Sequence, residues 1–536
     1  MTEATRAAAP ASAPMPPQIK YIIGNEACER FSFYGMRNIL VPFLISSVLL
    51  AYLPDQSARE GAAKDIFHSF VIGVYFFPLL GGWLSDRYFG KYNTVLWFSL
   101  IYCAGHACLA MFESNATGFY TGLFLIALGS GGIKPLVVSF CGDQFDQTNK
   151  DKAKLVFDGF YWIINFGSFF ASLLAPLFLR HLGPVWAFGI PGVLMFIATV
   201  VFWLGRHKYV NVPPSGPDPD GFMGVVKSAL LRHGHGAGTV VAGIGVAVSV
   251  LMLVLWATGA AIWPEEWGFV ITACLALGTL IGTVGWGASM QLERARGAHP
   301  DIAIDGVRAV LRILIVFALV TPFWSLFDQK ASTWIIQGRE MLIPHGEWWW
   351  PSWLIQDAAQ MQALNPLLVM LLIPFNNLVL YPALRKMGFQ VTSLRRMGWG
   401  IAISGVSWIV AGVLQLWIDG GAQVSIAWQS LPYLLLTLGE VLVSATALEF
   451  AYSQAPMAMK GVIMAFWYLT STFGGLWVLL TNATVRHPDV IGWITAQGWT
   501  ENAFLMFFFA GFALVAALAF AAYARTYRMQ EYYRPA

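Results

Sequence analysis

The sequence predicts an all-α integral membrane protein: two six-helix bundles plus an inserted two-helix hairpin, about 14 transmembrane helices in all. Three observations lead there. Of 536 residues, 57% are apolar and only 11% charged, against about 25% charged in a soluble chain. Apolar runs long enough to cross a bilayer recur along the whole chain. Lys and Arg collect in alternate connections, so the net charge of +3 says less than its distribution.

Residues 1–18 are Ala/Pro-rich, with Arg6 and no apolar core, and read as a disordered cytoplasmic arm rather than a cleavable signal. The first six-helix block, 19–205, has spans near 19–52, 66–85, 93–112, 117–140, 155–179 and 184–204. Residues 206–300 hold a Pro/Gly-rich linker and a hairpin near 237–258 and 267–290. Its Gly, Ala, Val and Leu content and near absence of ionisable groups fit a packing role. The second block, 301–527, has spans near 309–329, 358–383, 397–418, 427–452, 460–481 and 500–525, and a cytoplasmic tail follows at 528–536. With the N-terminus inside, the inner connections carry roughly 18 Lys/Arg and the outer ones roughly 6. Both termini are therefore expected in the cytoplasm. The five cysteines (Cys28, Cys103, Cys108, Cys141, Cys274) lack metal-ligand spacing and are expected to be buried free thiols.

Without the hairpin, six helices precede and six follow, the pattern of membrane carriers built from repeated halves around a midplane site. A weak echo supports the repeat. Gly82-Trp-Leu-Ser-Asp86-Arg87-Tyr-Phe-Gly90-Lys91 follows the second helix, and Leu384-Arg385-Lys386-Met-Gly388 follows the eighth.

Ionisable residues inside the spans carry the functional signal. A charge at the bilayer centre costs at least ~2.5–3.5 kcal/mol, so such groups face a polar interior. On the first helix Glu26, Glu29, Arg30, Phe33 and Arg37 fall within an arc of roughly 100°, with Tyr34 at its edge. At ~1.5 Å per residue, Arg37 and Asp328 reach a common outer height, with His68 beside them. Arg37 with Asp328 is either a permanent pair fixing helix register or one that breaks and re-forms. His68 is either a helix-end histidine or a working member of that outer cluster. Lower down, Lys134 comes within reach of Glu26 and Glu29, more polar capacity than a helix contact needs. Glu449 lies in the tenth helix, and Glu440 there fits a structural or a functional role. Asn165 and Asn365 add hydrogen-bonding capacity. The Gly129-Ser-Gly-Gly132 run suits close helix packing. Tyr75, Trp324 and Trp467 suit either core or pocket wall, and Trp348–Trp350 with Trp353 suit an aromatic belt.

These residues also carry a resemblance. Glu26-x-x-Glu29-Arg30-Phe31-x-x-Tyr34-Gly35 resembles the first-helix signature of the proton-dependent oligopeptide transporters (POT/PTR), a branch of the major facilitator superfamily. Further matches are Gly-Ser-Gly-Gly-Ile-Lys134-Pro135 with Asp143-Gln144-Phe145, and Phe160-Tyr161-Trp162-Ile-Ile-Asn165-Phe-Gly167-Ser168. Phe323-Trp324-Ser-Leu-Phe327-Asp328-Gln329, Asn365-Pro366, Leu448-Glu449-Phe-Ala-Tyr452-Ser-Gln454-Ala-Pro456 and Lys460-Gly-Val-Ile-Met-Ala-Phe466-Trp467 complete the set. The N-terminal arm, the 205–300 insert and the tail are unmatched.

The resemblance implies the superfamily fold and a proton-coupled symporter importing di- and tripeptides by alternating access. It implies that Glu26, Glu29, Arg30 and Lys134 couple protons, with Asp328 and His68 sharing in proton handling. Arg30 and Lys134 would also hold the peptide carboxylate. Asn165, Asn365 and Glu449 would hold its amino end, Tyr34, Tyr75, Trp324 and Trp467 would line side-chain pockets, and Arg37 with Asp328 would latch the outer gate. Two positions depart from the pattern: Phe33 stands where a second Tyr is common, and Asp328 where many bacterial members have Glu. The expected partners are peptides, protons and membrane lipid, with no nucleic acid, cofactor or metal, for a monomer spanning a bacterial inner membrane. Rival readings are a carrier of nitrate or another small anion, which Glu449 opposes, and a multipass membrane enzyme. The sequence contains no His-Glu-x-x-His metal motif for the latter.

Overall fold

A computed structural model describes residues 14–527 apart from 146–149, 215, 217, 233–235, 448–449, 451–453 and 455–458. The first half comprises α1 (Ile19–Phe43), α2 (Gln56–Phe76), α3 (Pro78–Leu84), α4 (Gly90–Met111), α5 (Ala116–Gly142), α6 (Lys150–Leu182) and α7 (Pro184–Leu204). The insert holds α8 (Phe222–Leu231), α9 (Ala237–Ala257) and α10 (Gly268–Met290). The second half comprises α11 (Asp301–Asp328), α12 (Thr333–Arg339), α13 (Leu364–Phe375), α14 (Tyr381–Lys386), α15 (Ser393–Asp419), α16 (Ser430–Glu440), α17 (Lys460–Val485), α18 (Pro488–Ala496) and α19 (Glu501–Thr526).

Among the described residues, 13 helical stretches are long and apolar enough to cross a membrane. One of them, Gln56–Met111, contains two crossings, since its legs pack along α5 in opposite directions. Gly73 faces Ala127 and Gly81 faces Gly131 on the first leg, whereas Phe98 faces Gly132 and Gly105 faces Ile126 on the second. The chain reverses at Gly90, whose φ of 72° suits a residue without a side chain. Gly388, φ 85°, occupies the matching turn after α14, and a π-helical turn precedes each (Ser85–Phe89 and Asn376–Leu380). The faint sequence echo thus has a counterpart in these two turns.

Each half centres on an apolar core, the first also taking in Ala331 and Ile336 of the second half. Phe43, Phe119 and Phe188 centre the first, while Trp334, Trp408 and Tyr433 centre the second. The insert joins the second half: Val225, Val226 and Ala229 of α8 pack with Ile304 and Val307 of α11. His299 bridges Asp220 and Ser228, at 2.8 and 2.7 Å. In the loop before α11, the guanidinium of Arg296 holds the exposed Glu293 carboxyl below the usual carboxylate range. Helices α9 and α10 touch through Gly238 and Gly287, and Ser249 donates to the Ala276 carbonyl at 2.8 Å. Only 17% and 22% of their most apolar stretches are buried, so the rest is left for lipid.

Some boundaries differ from expectation. The second helix starts at Gln56, not 66, because Asp55 caps it by accepting from the Ala58 N–H at 2.7 Å. Its first turns hold Arg59, Glu60, Lys64 and Asp65, so hydropathy alone misses them. The seventh starts at Asp301, not 309. Cys141 and Cys274 are buried, whereas Cys28, Cys103 and Cys108 are only half-buried.

The Gly129–Gly132 run packs as its composition suggests. A Cβ on Gly131 would lie 2.6 Å from the Phe77 carbonyl oxygen. Gly131→Ala is therefore expected to destabilise the fold by about 1–3 kcal/mol. Gly82→Ala, whose new methyl would meet nothing within 4 Å, should not. Unfolding temperatures in detergent check both.

Candidate functional site

Between the halves lies a set of buried ionisable groups, held by α1 and α5 on one side and by α11, α13 and α16 on the other. On α1, Arg30 Nε stands 2.9 Å from Glu26 Oε1 and 2.5 Å from Glu29 Oε2, all three side chains buried. The four-residue spacing puts Glu26 on the arginine's face of the helix, and Glu29 is its immediate neighbour in the chain. One cation is thus shared by two carboxylates.

Lys134 does not make the contact with Glu26 or Glu29 that its height allows. Its ammonium lies 3.6 Å from the centroid of the Phe33 ring and 5.3 Å from that of Tyr75. Among the described residues it forms no ion pair, because Arg30 already occupies both acids and Phe33 offers an aromatic face instead. The Gly-rich run brings α5 close enough to α3 and α4 to set this position. Tyr75 in turn stacks on Tyr468 of the second half at 6.3 Å, and the Tyr468 hydroxyl donates to the Lys134 carbonyl at 3.4 Å. Tyr34 packs edge-on against Phe33, with ring centroids 5.4 Å apart.

In the second half the centre is Asn365. Its Nδ2 donates to Glu440 Oε2 at 2.6 Å and to Thr437 Oγ1 at 3.1 Å, while its Oδ1 accepts from Lys330 Nζ at 2.8 Å. The Lys330 ammonium also sits 3.1 Å from the Phe327 ring centroid. Sequence reasoning missed Lys330. The signal is a lysine beside an apolar run, one residue past the expected end of the seventh span at 329. In the structure α11 continues through a 3₁₀ turn, Gln329–Ala331, into α12, so Lys330 lies inside one helical stretch, Asp301–Arg339, and is buried. Glu440, left open by the sequence, ends α16 just before a π-helical turn, Val441–Ala445. Glu449 lies outside the described residues. Among the described residues, the acid that Asn365 meets is Glu440.

An aromatic wall adjoins this cluster: Trp324 and Trp467 lie 5.8 Å apart edge-on, backed by Phe327 and Phe317. Asn165 donates to the Tyr161 carbonyl one turn back at 2.9 Å, so this amide bond stays within its own helix. At the other end of the charged stripe, Arg37 Nη2 donates to Asp328 Oδ1 at 2.6 Å, with 5% and 1% of the two side chains exposed. His68 meets Ser332 Oγ at 3.0 Å rather than the acid, and Arg37 leans on the Phe67 ring at 5.4 Å. Among the described residues, no group of three or more His, Cys, Asp or Glu could hold a metal.

The family model described as "POT family" matches residues 92–240 and 289–499. Peptide transporter 3 of Caenorhabditis elegans is 32% identical over 75% of this chain and 51% of its own length. Solute carrier family 15 member 1 of Homo sapiens is 28% identical over 84% and 59%. The chain thus spans about half the length of the curated relatives it matches. Among solved structures, an auto-inhibited POT family peptide transporter is 64% identical, with a TM-score of 0.91 over 97% of this chain and 99% of that one. The POT family transporter PepTSo is 61% identical, with a TM-score of 0.90 over 97% and 100%.

The Asn365 bridge yields a stability test. Asn365→Leu strands Lys330 and Glu440 and is expected to cost about 1–3 kcal/mol. Adding Lys330→Met and Glu440→Leu should recover most of that loss, because no unpaired charge remains. Thermal unfolding in detergent reads both.

Proposed function

Since this chain belongs to the POT family, we propose that it is a symporter of di- and tripeptides and protons in a bacterial inner membrane. It works as a monomer with both termini cytoplasmic, by alternating access between its two halves. The observation that carries this reading is the separation of charged groups across an aromatic-lined interior: Arg30 and Lys134 in one half, Glu440 with Asn365 in the other. Relatives named peptide transporters support the substrate class.

A short peptide is a zwitterion with fixed charges at its ends and variable side chains between them. Arg30 and Lys134 take its carboxylate by charge-assisted hydrogen bonds, and Glu440 takes its ammonium. Lys134 is suited to this because an aromatic ring, not an acid, holds it. Glu440, oriented by Asn365, joins Glu449 at the amino end, and Asn165 adds a polar contact. Tyr34, Tyr75, Trp324 and Trp467 form walls that accept many side chains without demanding one.

Coupling follows from the shared cation. When the peptide carboxylate draws on Arg30, Glu26 and Glu29 lose part of their counter-charge, and a proton on one of them restores neutrality. Peptide and proton then favour each other's binding, as reciprocity requires. At the gate, protonation of Asp328 weakens its hold on Arg37, with His68 beside it. Each charge crossing the membrane gains ~2.3 kcal/mol per 100 mV. Against a carrier of nitrate or another small anion stands the Glu440 carboxylate, which repels anions from the same space.

In proteoliposomes, Glu29→Gln is expected to abolish pH-driven accumulation of alanyl-alanine while leaving exchange intact. Undiminished accumulation would remove the coupling role. Glu440→Gln should raise the KM for alanyl-alanine about tenfold or more, the loss of one charge-assisted bond of ~1.5–3 kcal/mol. Inhibition by nitrate, with none by dipeptides, would overturn the peptide reading.

A further inference from the structure

Arg37–Asp328 is not the only charged tie between the halves. The polar first turns of α2, which look out of place in a membrane helix, point at the second half. Lys64 and Asp65 are neighbours, yet they hold different helices. Lys64 Nζ donates to Asn502 Oδ1 on α19 at 2.9 Å, and the lysine is 4% exposed. Asp65 accepts from the Arg486 guanidinium and, at 3.4 Å, from Asn482 Nδ2, both at the end of α17. The Arg486 side chain lies along α2, where a Cβ on Gly61 would stand 3.5 Å from its Nε. About a third of each side chain of the Asp65–Arg486 pair remains exposed.

Below this tie the seam is dry. Ile72 of α2 packs with Leu476, Leu479 and Ala483 of α17, and Ile271 and Cys274 of the inserted α10 close over the same cluster. A Cβ on Gly475 would lie 2.8 Å from Ile72 Cγ1, so α2 and α17 are in close contact there. The inserted hairpin, though anchored to the second half, therefore covers a boundary between the halves.

We propose that Asp65–Arg486, with Lys64–Asn502 beside it, is a second outer latch, and that α10 braces the seam it closes. This rests on the alternating-access reading given above. The two latches differ in physical character. Arg37 and Asp328 are almost fully buried, so parting them exposes charges that had no water. Asp65 and Arg486 already touch water, so parting them costs less and shifts the balance between closed and open states without locking it.

The test uses the full chain in proteoliposomes, with Ile72→Cys as a reporter in the seam and Cys274→Ser removing the native thiol beside it. Asp65→Asn and Arg486→Gln are each expected to raise the rate of labelling by an external, membrane-impermeant maleimide at least threefold. The charge-exchanged pair Asp65→Arg with Arg486→Asp should bring it back. Should Asp65→Asn fail to give monodisperse protein, Asn502→Ala reads the same seam from α19. Unchanged labelling in all single variants, with normal alanyl-alanine uptake, would overturn the latch and leave the carrier reading standing. Raised labelling in a protein that moves no peptide would keep the latch and remove the substrate reading.

Discussion

A carboxylate or ammonium inside a membrane span must find its counter-charge or a polar contact within the protein, because lipid offers neither. In this molecule that requirement is met in three ways. Glu26, Glu29 and Arg30 satisfy one another on a single helix face. Lys330 and Glu440 meet through Asn365 within the second half. Across the boundary, Arg37 meets Asp328, Asp65 meets Arg486 and Lys64 meets Asn502. The first two clusters thus lie within single halves, whereas the third spans the boundary between them.

The scaffold supports this division. Glycine contacts bring α5 close to α3 and α4 and so fix the height of Lys134, while a separate core organises the second half. The hairpin is tied to α11 through α8, yet α10 also touches Ile72 of the first half. An apolar insertion of this kind tolerates lipid on most of its surface and still contributes packing where two helices meet.

Particular residues mark what was legible in advance. Charge inside apolar runs identified Glu26, Glu29, Arg30, Arg37, Lys134 and Asp328, because the cost of burial is large and independent of neighbours. Lys330 is hidden from hydropathy because the apolar run ends at 329, at a place where the helix changes winding but continues. The start of α2 escaped for the opposite reason: its charged turns face protein partners, which hydropathy cannot see. The expected contact of Lys134 with the acids did not form. Both acids already had a cation, and the ring of Phe33 was nearer.

Composition and spacing alone determined the membrane class, the doubled six-helix plan, the family signature and the charged stripe on α1, since each rests on local periodicity and on the high cost of charge in hydrocarbon. Tertiary structure alone decided which acid meets Asn365, which cation is shared and which is left on a ring, and where charged side chains tie one half to the other. Those choices depend on distances of a few ångströms between residues separated by as many as 438 positions in the chain. Electrostatic and hydrogen-bond energies change steeply over such distances, and a one-dimensional pattern does not carry them.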